Sequence, residues 1–281
     1  TGHSRPPSHI KYECYYTRFA RISQGGIALT VYLAITPAAL ARLPSPPPLP
    51  LVHMAYAVGQ GGCLSRCGAA DAPRGGLMGL SDRCTGSLMR ADALCRTIAT
   101  ECARRGFHGV LADLDGTPCA DRLPFLSRLA RSLNAQGNHL YCPIILPAEG
   151  AVLLVGTAVS GGSLRTLLEG AVNRCGPERL ALDLERVQMD FPLPCPTGCG
   201  TPLTHGELLS LRTRYPSSVY YSRELMAKYF TYTAEGGTHF VLFDDVETLR
   251  RKVRLAQELG IQKAFLMYPE VADLLPELGR I

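Results

Sequence analysis

The chain contains no tryptophan, so any flat aromatic platform must come from its 12 Tyr and 8 Phe. It has no run of 18 apolar residues, and the longest apolar stretches, such as GIALTVYLAI, are strand-sized, so no membrane span is expected. It also has no block of like charge. The +5 balance of 29 Lys and Arg against 24 Asp and Glu is spread along the chain, which gives no footprint for nucleic acid. Eleven cysteines are many, but they follow no regular framework, and Cys95 and Cys102 sit in an apolar helical pattern. An odd, scattered set of this kind favours a reducing, cytoplasmic compartment over a disulfide scaffold. The pairs Cys63/Cys67 and Cys195/Cys199 are each C-x3-C in loops about 130 residues apart, a poor match to a zinc site. No metal and no cofactor are therefore expected.

What is present is an alternation of elements. Apolar runs at 26–35, 51–58, 77–80, 109–115, 139–146, 179–185, 218–222 and 263–268 read as eight strands. Helical periodicity separates most of them, at 87–105, 122–137, 163–176, 205–216 and 246–260. Strand–helix alternation predicts parallel βαβ units, and eight of them predict a (β/α)8 TIM barrel formed as one domain over 1–281. The N-terminal part before residue 26 and, apart from 77–80, the Gly-rich stretch 59–86 are irregular, and KYFTYTAEGGTHFVLFDD reads as a hairpin inserted before the last βα unit. A doubly wound open sheet would place a Gly-rich phosphate turn after its first strand, and VYLAITPAA has none.

The stretch GFHGVLADLDG poses the chemical question, because an apolar strand ends in two carboxylates. Side chains alternate along a strand, so Leu111, Asp113 and Asp115 share one face. Such a pair either caps the next helix and meets a base such as Arg122, or serves chemistry at the strand's C-terminal end. Asp183 and Glu185 repeat the arrangement on another strand, with Arg179 and Arg186 as their possible ionic partners.

These residues resemble glycoside hydrolase family 18, the chitinase-like barrels. The fourth strand of that family carries a DGxxxDxE signature. Here Gly109 and Asp113 match it, while His108 stands for the first Asp, Leu111 for the middle one and Asp115 for the general-acid Glu. The segment YFTYTAEGGTHFVLFDDVETLRRKVRLAQELGIQKAFLMY is similar to the closing part of the bacterial branch of spore-cortex and germination glucosaminidases, with His239, Val241, Phe243, Asp245, Lys252 and Gly260 in step. LALD at 180–183 is similar to the Met-x-Tyr-Asp motif of the sixth strand, with Leu182 at the Tyr position. Met267 falls where the family has a Trp beneath the sugar.

The resemblance implies substrate-assisted hydrolysis, in which the N-acetyl carbonyl of the sugar attacks its own anomeric carbon and the protein supplies one acid. Asp115 would be that acid, Asp113 the residue beneath it that tunes its pKa, and Asp183 and Glu185 further carboxylates at the mouth. Tyr56, Tyr221 and Met267 would line the sugar site, with Tyr229 and Tyr232 as further stacking faces. An Asp in place of Glu loses roughly 1 Å of reach, and misplacement of that order costs about a hundredfold. The expectation is thus a protein that binds N-acetylated glycans, chitin-like or peptidoglycan, with impaired hydrolysis. The alternatives are an active hydrolase that uses Asp115 and a non-catalytic scaffold of a spore or cell envelope.

Overall fold

The computed structural model describes residues 28–68, 73–82, 88, 91–114, 120–195 and 198–278. Fourteen strands are described: β1 (Thr30–Ile35), β2 (Leu51–Val58), β3 (Leu64–Arg66), β4 (Leu77–Asp82), β5 (Gly109–Asp113), β6 (His139–Pro143), β7 (Val152–Gly156), β8 (Leu180–Asp183), β9 (Gln188–Leu193), β10 (Thr201–Pro202), β11 (Tyr220–Ser222), β12 (Ala227–Ala234), β13 (Gly237–Phe243) and β14 (Lys263–Met267). The helices are α1 (Pro37–Leu40), α2 (Ala91–Arg105), α3 (Arg122–Asn134), α4 (Leu164–Cys175), α5 (His205–Arg214), α6 (Val246–Glu258), α7 (Tyr268–Val271) and α8 (Leu275–Leu278).

Eight strands run parallel in the order β1, β2, β4, β5, β6, β7, β8, β14. The ring closes on β1, which pairs with β14 from Thr30 to Ala34 and with β2 from Leu33 to Ile35. The eight-stranded (β/α)8 barrel read from the alternation is therefore present. β3 lies outside the ring as an antiparallel ribbon on β2. Two apolar layers hold the barrel, as period-two strands buried on both faces require. The interior is filled by Tyr32, Ala34, Leu111, Tyr141, Leu154, Ala181 and Phe265 among others, while Leu33, Met78, Val110, Leu140 and Leu182 face the helices. At Gly79 the Met54 side chain occupies the space that a Cβ would take, so a large residue on β2 is matched by the smallest on β4.

Two of the strands predicted from sequence belong elsewhere. Val152–Gly156 is the sixth barrel strand, although the sequence pattern assigns it no element. It follows β6 through a turn over 144–151 with no helix between, so the strand–helix alternation is silent there. Leu180–Asp183 is consequently the seventh barrel strand rather than the sixth. The run at 218–222 is not in the barrel at all. Tyr220–Ser222 pairs antiparallel with Ala227–Tyr229, at the edge of a five-stranded sheet of order β10, β9, β13, β12, β11. The expected hairpin is real, in β12 and β13, but it is the centre of this larger insertion between β8 and α6.

The two ends of the insertion are clasped together. Asp244 N donates to Val187 O at 2.7 Å. Val187 N in turn donates to Asp244 Oδ2 at 3.0 Å. Asp244 also accepts from Thr248 Oγ1 at 2.7 Å and from Lys252 Nζ at 2.6 Å, and both members of this ion pair have fully buried side chains. Asp245 then caps α6 in a reciprocal box with Thr248.

Candidate functional site at the barrel mouth

In a barrel of this kind the loops after the strands form the upper rim, and residues ending the strands point into it. Asp113 ends β5 and Asp183 ends β8, both half-buried. Glu185 follows two residues after Asp183, and Glu270 lies in α7, directly beyond β14. The four converge. Burial first, then the charges of Glu185, Glu270 and Asp113, push the Asp183 carboxyl up to about 7. Glu270 is also raised, by burial and by Glu185, against the opposing effect of the Arg186 N–H. Carboxylates this close cannot all ionise cheaply, so the cluster retains a proton near neutrality.

The loops fix this arrangement. Thr157 N donates to Asp183 O at 3.0 Å and Leu184 N to Phe265 O at 2.8 Å, so β8 is held on both sides as it leaves the barrel. Glu185 Oε2 accepts from Ala158 N at 3.4 Å. The same oxygen lies 2.7 Å from where a Cβ at Gly156 would be, so a glycine there makes room for the carboxylate. The nearby cation, Arg186, has a side chain only 5% exposed and is turned to other partners. Its Nη1 donates to Glu270 O at 2.8 Å and to Asp273 Oδ1 at 2.6 Å, and its backbone N donates to Glu270 Oε2 at 3.2 Å. Arg186 thereby pins α7 and its glutamate to the rim, and among the described residues no base forms an ion pair with Asp183.

Gly156→Ala is expected to displace Glu185 and bring the Asp183 titration down toward the ordinary carboxylate range, with a stability change within about 1 kcal/mol because only a flexible side-chain end moves. A carboxyl-carbon NMR titration of Asp183 in the two proteins checks this.

The structure brings Asp113, Asp183 and Glu185 together and adds Glu270, which the sequence reading missed. The signal for it was the YPE immediately after the last barrel strand. Met267 ends β14 and packs with the barrel-interior cluster, half-buried. Asp115 lies outside the described residues. Tyr56 does not face the mouth. A register shift in β2 between His53 and Tyr56 reverses the alternation that keeps Val52 and Met54 inside, and Tyr56 turns out to the helix layer. There it is 3% exposed, its hydroxyl donates to Glu101 at 2.9 Å, and burial together with Glu101 pushes its pKa up to about 12. Tyr221 sits on the insertion sheet beneath the Arg251 guanidinium at 4.8 Å, occupied by α6 rather than by the rim. Among the described residues no group of three or more His, Cys, Asp or Glu has metal-holding geometry, and Cys67 and Cys195 are free thiols. Among them, too, no helix is long and apolar enough to cross a membrane.

The sequence matches no protein-family profile and no curated protein. Solved structures do match. The spore cortex-lytic enzyme SleL of Bacillus megaterium superposes with a TM-score of 0.60 at 17% identity, over 91% of this chain and 75% of that one. The chitinase of Chromobacterium violaceum gives 0.64 at 17% identity, over 90% and 98%. The GH18 chitinase of Cycas revoluta, solved in complex with (GlcNAc)3, gives 0.59 at 13% identity, over 89% and 98%. The fold is that of the glycoside hydrolase family 18 barrels. Within this family 18 fold Asp113 stands at the end of the fourth strand, where the sequence placed it. The strand-six correspondence is corrected: that position is held by Val152–Gly156, reading VLLVG, and Leu182 is a fully buried residue of strand seven that faces the helix layer.

Proposed function

We propose that this family 18-like barrel binds N-acetylated glycans, chitin-like or peptidoglycan, at its carboxylate-lined mouth, and that ordinary chitin hydrolysis is impaired in it. The observation that carries the reading is the half-buried cluster around Asp183 at the C-terminal rim, with a proton retained near neutrality. A protonated carboxyl beside ionised ones can both donate to and accept from sugar hydroxyl and acetamido groups. The Cycas chitinase of the same fold holds (GlcNAc)3, which supports that ligand class.

Impairment rests on the residues themselves. The residue that the family resemblance aligns with the strand-four acid is Asp115, one methylene shorter than Glu, and the sequence has no tryptophan to floor the sugar. Strand six, VLLVG, ends in Gly156 and carries no tyrosine. What remains at the mouth are groups suited to binding and to proton exchange, with the orienting surfaces reduced.

Incubation with N-acetylglucosamine oligomers and muropeptides, followed by product analysis, tests this reading. Bound but uncleaved oligomers are expected. Cleavage that Asp115→Asn abolishes would replace it with a hydrolase that uses the shortened acid.

A further inference from the structure

The barrel strands begin at the end opposite the mouth, and there the interior turns from apolar to basic. Phe265 and Met267 of β14 pack inside the barrel, so alternation puts Lys263, the first residue of β14, on the same inward face. Tyr141 of β6 is also an interior residue, and alternation likewise places His139, which opens β6, at the foot. Lys263 is half-buried, and its Nζ lies 5.6 Å from the centre of the Tyr141 ring. The two basic groups sense each other. Burial and then the Lys263 ammonium hold the His139 imidazole below its ordinary value, and burial holds Lys263 below its own. A cavity of about 290 Å³ opens beside His139, between the end of α3 and the starts of β7 and β8, and Asn138, Gly150 and Arg179 help to line it. The acids nearby are turned elsewhere: Glu178 folds its carboxylate against Gly176, and Glu149 lies 3.8 Å from Arg131. Among the described residues no carboxylate pairs with Lys263, His139 or Arg179.

We infer that the foot of the barrel is a binding site for a phosphate-type oxyanion, held by Lys263, His139 and Arg179. An ammonium that is half-buried against an aromatic ring has given up part of its hydration, and a second basic group beside it adds to the cost. The ring face returns only a part of this. A doubly charged anion offsets the rest and favours the charged form of both groups. The donors suit such a ligand, since lysine supplies a point charge, Arg179 a planar fork for two oxygens and Asn138 an amide N–H. The cavity lies at the small end of ligand sites, which fits a phosphate head on a small body rather than a macromolecule. A carboxylate would meet the same groups with half the charge. The site is independent of the glycan reading, because it shares no residue with the mouth cluster and lies at the other end of the strands.

A titration of the full chain with inorganic phosphate at constant ionic strength, followed through the histidine ring signals by NMR, tests the site. The His139 signals are expected to shift saturably and the His139 titration midpoint to rise, because a bound anion favours the imidazolium. Acetate and chloride are expected to give no saturable shift. Lys263→Met removes a half-buried charge that has no carboxylate partner among the described residues, so the fold is retained, and it is expected to weaken phosphate binding about tenfold. Arg179→Gln alters an exposed side chain and is expected to weaken it in the same direction. A linear, unsaturable response of the wild type, an acetate response equal to that of phosphate, or undiminished binding by Lys263→Met overturns the site.

Discussion

Lys252→Met is expected to cost about 3–5 kcal/mol of stability, the usual result of removing one partner from a buried ion pair. Lys252 and Asp244 are both fully buried, and the lysine lies on the inner face of α6 with Leu249, Val253 and Ala256. Without the ammonium, the Asp244 carboxylate would keep only Val187 N and Thr248 Oγ1 as donors, too few for an anion removed from water. Asp244 and Val187 are also the exit and entry of the five-stranded insertion, so the loss falls on the clasp that joins it to the barrel. Denaturant midpoints of the single variant and of Asp244→Asn/Lys252→Met check the cause. The neutral pair is expected to recover most of the loss, whereas equal destabilisation in both would show that side-chain volume, not charge, dominates.

Asp183→Asn is expected to stabilise the protein above neutral pH. The folded Asp183 titrates at about 7 against an ordinary value of 3.8. Between those limits the folded state binds more protons than the unfolded chain, so wild-type stability falls as pH rises through the window. Asparagine carries no charge to bury and removes this slope. The gain, on the order of 2 kcal/mol after allowance for partial exposure, is complete above about pH 7 and vanishes below about pH 4. Because Glu270 is raised in the same sense, part of the slope persists in the variant. Urea midpoints at pH 5 and pH 8 in both proteins give the comparison, and a variant that loses stability at pH 8 would place Asp183 in a structural ion pair instead.

The barrel was legible because its signal is redundant: strands of matching length alternate with helices, and closure needs only their number. The number came out right through two offsetting misreadings. VLLVG follows strand five without a helix, so alternation carries no mark of it, and SVYYS has the aromatic, β-branched composition of any strand and gives no hint that its partner is a hairpin. The shared face of Asp113 with Leu111 was legible from period-two alternation alone. The fate of Tyr56 was not, since one irregularity in β2 reverses its side and no residue there announces it. Lys252 stood out in the sequence only as a residue in step with the family resemblance, on a helix otherwise rich in cations. Its partner Asp244, eight residues earlier and just ahead of α6, makes it a core residue.

The affinity for (GlcNAc)3 measured between pH 5 and pH 9, in wild type and in Asp183→Asn, tests the central claim most directly. A glycan held by the mouth cluster gives a binding constant that changes with a midpoint near pH 7 in the wild type and loses that break in the variant. Absence of binding, or a wild-type profile flat across this range, would contradict the assignment of the mouth carboxylates as the glycan site.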